Sequence, residues 1–144
     1  MATAAGLGPV RAGMTAAEVR TAVGGALAAP DPTAGCAHVA LPGAPGRALV
    51  MLVDGRVARV EVKDSAVATD RGARVGDSEA RIDSLYGGRV RVEPHKYTDG
   101  HYLVVVPDAA ADSAYRLIFE TDGRRVLEYR TGLLPAVAWV EGCG

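Results

Sequence analysis

A chain of 144 residues, 49% apolar and 23% charged, is long enough to bury a core and has the composition of an ordinary soluble globular protein. Its 16 basic and 17 acidic side chains give a formal net charge of −1, which leaves no basic face to displace counterions and argues against nucleic-acid binding. No apolar run approaches the roughly 18–20 residues of a membrane-spanning helix, and Met1-Ala2-Thr3-Ala4-Ala5 lacks the basic start and apolar segment of a secretory signal.

The first predicted element is a short helix between Gly13 and Gly24. Thr15 suits its N-cap, Glu18 three residues on completes a capping box, and Val19, Ala22 and Val23 form one apolar stripe. Gly24 supplies the left-handed residue that ends it. Strand-like periodicity follows at 37–41, 48–53 and 56–63, with a loop at 42–46 and a two-residue Asp54-Gly55 turn. Residues 64–74 form a polar join. The order then begins again at Gly76, with Ser78 as N-cap and Glu79 at the positive helix end. Arg81 stands where a capping box needs an acid, Ile82, Leu85 and Tyr86 give the stripe, and Gly87 closes the helix. Strands are predicted at 89–93, 102–106, 115–120 and 125–130, a loop at 107–113, an Asp122-Gly123 turn, and a last strand at 136–140.

The expected architecture is α+β: two tandem helix-plus-antiparallel-strand repeats, residues 1–63 and 64–144, forming one sheet in one compact unit. Alternation of Tyr115, Leu117 and Phe119 with Arg116, Ile118 and Glu120, and of Val90 and Val92 with Arg89, Arg91 and Glu93, predicts one face packed under short helices and one face wet. The wet face is expected to carry Arg56, Arg59, Arg116, Arg124, Arg125 and Arg130, with Trp139 in terminal packing.

Gly13-Met14-Thr15, then Glu18-Val19 and the closing Gly24, resembles the helix start of β-lactamase-inhibitor-protein-like domains and of outer-membrane assembly lipoproteins of the SmpA/OmlA type. The resemblance implies a tandem repeat whose sheet face grips a protein. The chain departs from the inhibitor family in having one pair of cysteines instead of a disulfide in each repeat, and few aromatics on the binding face, so inhibition of a β-lactamase is not carried over. The second half, with Pro94-His95-Lys96-Tyr97 and the terminal Glu141-Gly142-Cys143, is similar to uncharacterised exported bacterial proteins.

Cys36 and Cys143 stand far apart with no CxxC pattern, which leaves a long-range disulfide or two quiet thiols, with a reactive Cys36 beside His38 as a further alternative. The disulfide is the expectation, and with it a secreted or periplasmic location after removal of a signal not present in this chain. No Gly-x-Ser-x-Gly elbow or phosphate loop is visible; Ser65, Ser78, Ser84 and Ser113 fall in capping or loop contexts. The polar run from His95 to Tyr102 reads as a turn, as a partner-binding patch, or as a metal-dependent or hydrolytic site built on His95, Asp99 and His101. The leading expectation is a non-enzymatic binding module without a cofactor, recognising a protein or envelope component through Arg89, Arg91, Tyr97, His101, Tyr129 and Arg130. A purely structural envelope domain is the remaining alternative.

Overall fold

The computed structural model describes residues 1–25, 27–28, 33–44 and 46–144; residue 45 of the predicted 42–46 loop lies outside them. The protein is mixed α and β and mostly sheet. Seven antiparallel strands run in the order β4 (Cys36–Ala40), β5 (Ala48–Val53), β6 (Arg56–Val62), β10 (Val126–Leu133), β9 (Tyr115–Thr121), β8 (His101–Val105) and β7 (Val90–Pro94). Two meanders, β4–β5–β6 and β7–β8–β9–β10, therefore meet along one seam, where Val62, Glu61, Val60 and Arg59 pair with Tyr129, Arg130, Thr131 and Gly132. The strands come close there: a Cβ on Gly132 would stand 2.2 Å from the Ala58 carbonyl oxygen, so only glycine fits.

The expectation of a single sheet is corrected. A second, three-stranded antiparallel sheet is formed by β1 (Ala2–Thr3), β2 (Gly6–Leu7) and β3 (Val10–Arg11). Ala2 is fully buried, its N–H donating to the Ala68 carbonyl, and the Thr131 hydroxyl donates to the Thr3 carbonyl. The Ala-rich N-terminus gives no strand signal because its strands are only two residues long, too short to show a period of two.

Helices α1 (Ala16–Val23) and α2 (Glu79–Tyr86) start at Thr15 and Ser78, whose hydroxyls accept from the Glu18 and Arg81 amides. Thr15 and Glu18 make the full capping box, and Gly24 ends α1 in the left-handed conformation. Backbone bonds tie each helix start to a hairpin: Gly13 N–H to the Val57 carbonyl and Val57 N–H to Met14, then Gly76 N–H to Val126 and Val126 N–H to Asp77. Arg56 Nη1 donates to the Gly13 carbonyl at 2.8 Å and Arg125 Nη1 to that of Gly76 at 2.9 Å. Val19, Ile82 and Tyr86 pack with Val50, Leu103 and Phe119 into one apolar core on the helix side of the large sheet. Tyr86 and Tyr129 each place a tilted ring 5–6 Å from Phe119, at 5.9 and 5.4 Å.

The other face departs from expectation. Residues 134–143 fold over β6, β10 and β9, with a short 3₁₀ turn at Ala136–Ala138 in place of the predicted strand at 136–140. Ala136 and Val137 are buried against the sheet, and a disulfide between Cys36 and Cys143 holds the end of the segment on β4. The face is covered across its centre and open toward β7 and β8 and, at its other end, at the exposed His38 and Ala40 of β4.

Candidate binding face

On this outer face the strand period places charges where a dry face would carry valines. Arg59 and Glu61 alternate with Val60 and Val62 on β6, and Arg130 stands opposite Glu61 across the seam. Arg59 and Arg130 are only 3% and 4% exposed, so the expected wet arginines at these positions are instead buried. The segment above supplies the reason. Arg59 Nη1 donates to the carbonyls of Ala136 at 3.0 Å and Trp139 at 2.6 Å, and Arg130 Nε donates to that of Val137. Burial draws the Arg59 pKa down, opposed by the adjacent Glu61.

Each arginine shares a carboxylate with a histidine. Glu61 Oε2 accepts from Arg59 Nε at 3.0 Å and from His38 Nε2 at 2.9 Å, while Glu120 accepts from Arg130 Nη1 at 2.6 Å and from His95 Nε2 at 2.9 Å. Lys63 extends the first cluster, bridging Glu61 at 2.9 Å and Glu128 at 3.0 Å. Burial works against the Glu61 charge, but the Lys63 hydrogen bond and the Arg59, Lys63 and His38 charges outweigh it and bring its pKa down to about 2. The Tyr97 amide donates to His95 Nδ1 at 3.1 Å, so with Nε2–H given to Glu120 both ring nitrogens are used and the tautomer is fixed. Gly142 closes the first cluster: its φ is +60°, and a Cβ there would lie 2.8 Å from the His38 ring and 2.9 Å from Arg59 Nη2.

The six expected contact residues do not form one patch. Arg91 and Arg130 line a cleft of about 210 Å³ on the open part of the outer face, with Glu93, Tyr102, Arg116 and Ile118. Arg130 reaches it from beneath, 5.8 Å from the Tyr102 ring. Tyr97 is 62% exposed at the β7–β8 turn, with the Lys96 ammonium 5.2 Å from its ring centre. Arg89 belongs to the opposite side of the sheet, where it binds the Tyr86 carbonyl and Asp108 and lines a cleft of about 480 Å³ with Arg11, Arg71 and Asp70. Tyr129 is removed from the set: it is 1% exposed in the helix-side core, and its hydroxyl donates to the Val67 carbonyl at 3.0 Å.

His95 and His101 also separate. His95 stacks on Tyr102 under the outer face, while His101 Nδ1 donates to Glu79 of α2 at 2.7 Å, and the Thr121 hydroxyl donates to the same carboxylate. The two rings point to opposite faces, which corrects the expected grouping of His95, Asp99 and His101. Among the described residues no group of three or more histidine, cysteine or carboxylate side chains is placed to hold a metal ion. Cys36 is bonded to Cys143, so it has no thiol to present to His38.

No family model, curated protein or solved structure matches the chain. What the face can do is therefore set by its side chains. The clusters around Glu61 and Glu120 escaped sequence reasoning, although the run Arg59-Val60-Glu61-Val62-Lys63 held a signal: opposite charges at period two inside a valine-rich strand mark an ion network under a cover.

Proposed function

We propose that this chain is a non-enzymatic, exported binding module that holds a protein or cell-envelope component at the open β7–β8–β9 end of its outer face. The division of that face carries the proposal. The C-terminal segment seals the centre, while the cleft beyond it presents Arg91 and Arg116 over the largely buried Tyr102 and is bordered by the exposed Leu134. Arginine and tyrosine around a partly apolar floor are among the side chains enriched at protein-binding hot spots. Among the described residues that line it none is a serine, cysteine or histidine, and its one carboxylate is Glu93.

Two further observations support the same proposal. A disulfide between residues 107 apart in sequence suits an oxidising compartment. Thr15 bridges Arg56 and Ser78 bridges Arg125, each beside matching backbone bonds, which favours two copies of one helix-and-hairpin unit and the likeness to inhibitor-protein-like domains.

The test is site-specific photo-crosslinking of the protein exported in its native host. A photoreactive amino acid in place of Arg116 is expected to give a discrete adduct, and one in place of Asp83 on the exposed side of α2 is not. No adduct at position 116, or the same adducts at both positions, would overturn the proposal.

A further inference from the structure

Strand β7 forms one edge of the large sheet. Two backbone bonds bracket the β7–β8 ladder, from Val106 N–H to the Arg89 carbonyl and from His95 N–H to that of Gly100. Because bonded pairs alternate along an antiparallel ladder, Arg91 and Glu93 spend their backbone groups on β8. Val90, Val92 and Pro94 then turn theirs outward, and these groups are open to an added strand. The side chains agree. Val92 is 61% exposed, and Arg91 and Glu93, both exposed on the opposite face of the strand, make no hydrogen bond or ion pair among the described residues.

We propose that two copies of this chain associate through antiparallel pairing of β7 about a two-fold axis at Val92, joining their large sheets into one. With Val92 opposite Val92 of the other copy, the register sets Arg91 against Glu93 and Glu93 against Arg91. Two symmetry-related ion pairs then form at the closely spaced, non-bonded positions of the ladder. The Val92 pair exchanges two backbone bonds, and each Val90 N–H meets a Pro94 carbonyl. The valine side chains meet on the helix side, covering apolar surface that the single chain leaves exposed. Pro94, having no N–H, limits the pairing to this short stretch. The other edge, β4, has no such complement: its one ionisable side chain, His38, is already bonded to Glu61, and Cys36 is tied to Cys143.

Arg91 and Glu93 also line the cleft, so the pairing shares these side chains with it, whereas Arg116, used to test the cleft, takes no part in the pairing. Sedimentation velocity over a concentration series, on the intact oxidised protein, tests it. The expected result is a monomer–dimer equilibrium with a dissociation constant on the order of 10–100 µM, as suits a small interface. Arg91→Glu and Glu93→Arg each set like charges against each other twice, and each is expected to weaken association about tenfold or more. The double variant R91E/E93R, and an equimolar mixture of the two single variants, restore it. Circular dichroism is expected to stay unchanged, since both side chains are exposed and unbonded. A wild-type protein that remains monomeric at millimolar concentration would overturn the proposal, as would a dimer indifferent to the single reversals or not restored by the double.

Discussion

The two faces of the large sheet are held by different physics. On the helix side, Phe119, Tyr129, Val60 and their neighbours are removed from water in one apolar cluster, an attraction that is non-directional and scales with buried area. On the outer side, Arg59, Glu61 and Arg130 are just as buried but carry charge, and charge is costly to bury unless every group finds a partner. Here they do: among the described residues no buried side-chain nitrogen or oxygen lacks a hydrogen-bond partner. An apolar face tolerates a shifted cover, whereas arginines aimed at the carbonyls of Ala136, Val137 and Trp139 accept one placement. The difference teaches that the outer network fixes where the C-terminal segment lies more than it adds net stability.

The sharpest break on the apolar side is Phe119→Ala, which removes the ring against which Tyr86 and Tyr129 pack. Chemical denaturation is expected to show a loss of about 3–5 kcal/mol. On the outer side, Arg59→Ala leaves Glu61 short of a charge partner and the segment's carbonyls unbonded, and is expected to cost a similar amount, about 3–5 kcal/mol. The faces then part company. The double variant R59M/E61L is expected to regain much of that loss, because a buried pair exchanged for apolar groups is often close to neutral. A double variant as unstable as the single would mean that the network stabilises outright.

Acid sharpens the comparison at smaller amplitude. The Glu61 carboxyl titrates at about 2 in the folded chain against 4.5 for an ordinary glutamate. A depressed folded pKa contributes stability that is complete above the ordinary value and is lost as pH falls from 4.5 toward 2. Thermal melts across that window are expected to fall more steeply for the wild type than for Glu61→Gln, which lacks the titrating group. The smallest effect is at the helix starts. Thr15→Ala is expected to cost about 1 kcal/mol, and Ser78→Ala somewhat less because its cap lacks the reciprocal acid.

What was legible in the sequence was local. Thr15, Ser78, Gly24 and the Asp54-Gly55 and Asp122-Gly123 turns act through neighbours a few residues away, so both helices and both hairpins could be placed. Whether an alternating face is wet depends on what arrives from elsewhere: alternation alone places Arg130 in water, because the Val137 carbonyl that covers it comes from another element. Tyr129 was misplaced for a different reason. The β9–β10 register shifts between Val126 and Glu128, and that bulge leaves Leu127 exposed while Tyr129 turns into the core. Of the contact residues, Arg91 and Tyr97 are where an exposed strand and turn would put them, whereas Arg89 lies across the sheet from the cleft, which single-strand periodicity does not resolve.

The seam between β6 and β10 also has a consequence in time. Each meander pairs strands that are neighbours in the chain, so its hairpins need only short loops to close. The seam instead joins positions roughly 70 residues apart, and the entropy of that closure falls due before its contacts are made. On that cost alone the two meanders are expected to form before they dock. Substitutions confined to Val60 and Thr131 will slow folding if the seam is zipped in the transition state, and will speed unfolding if it is not.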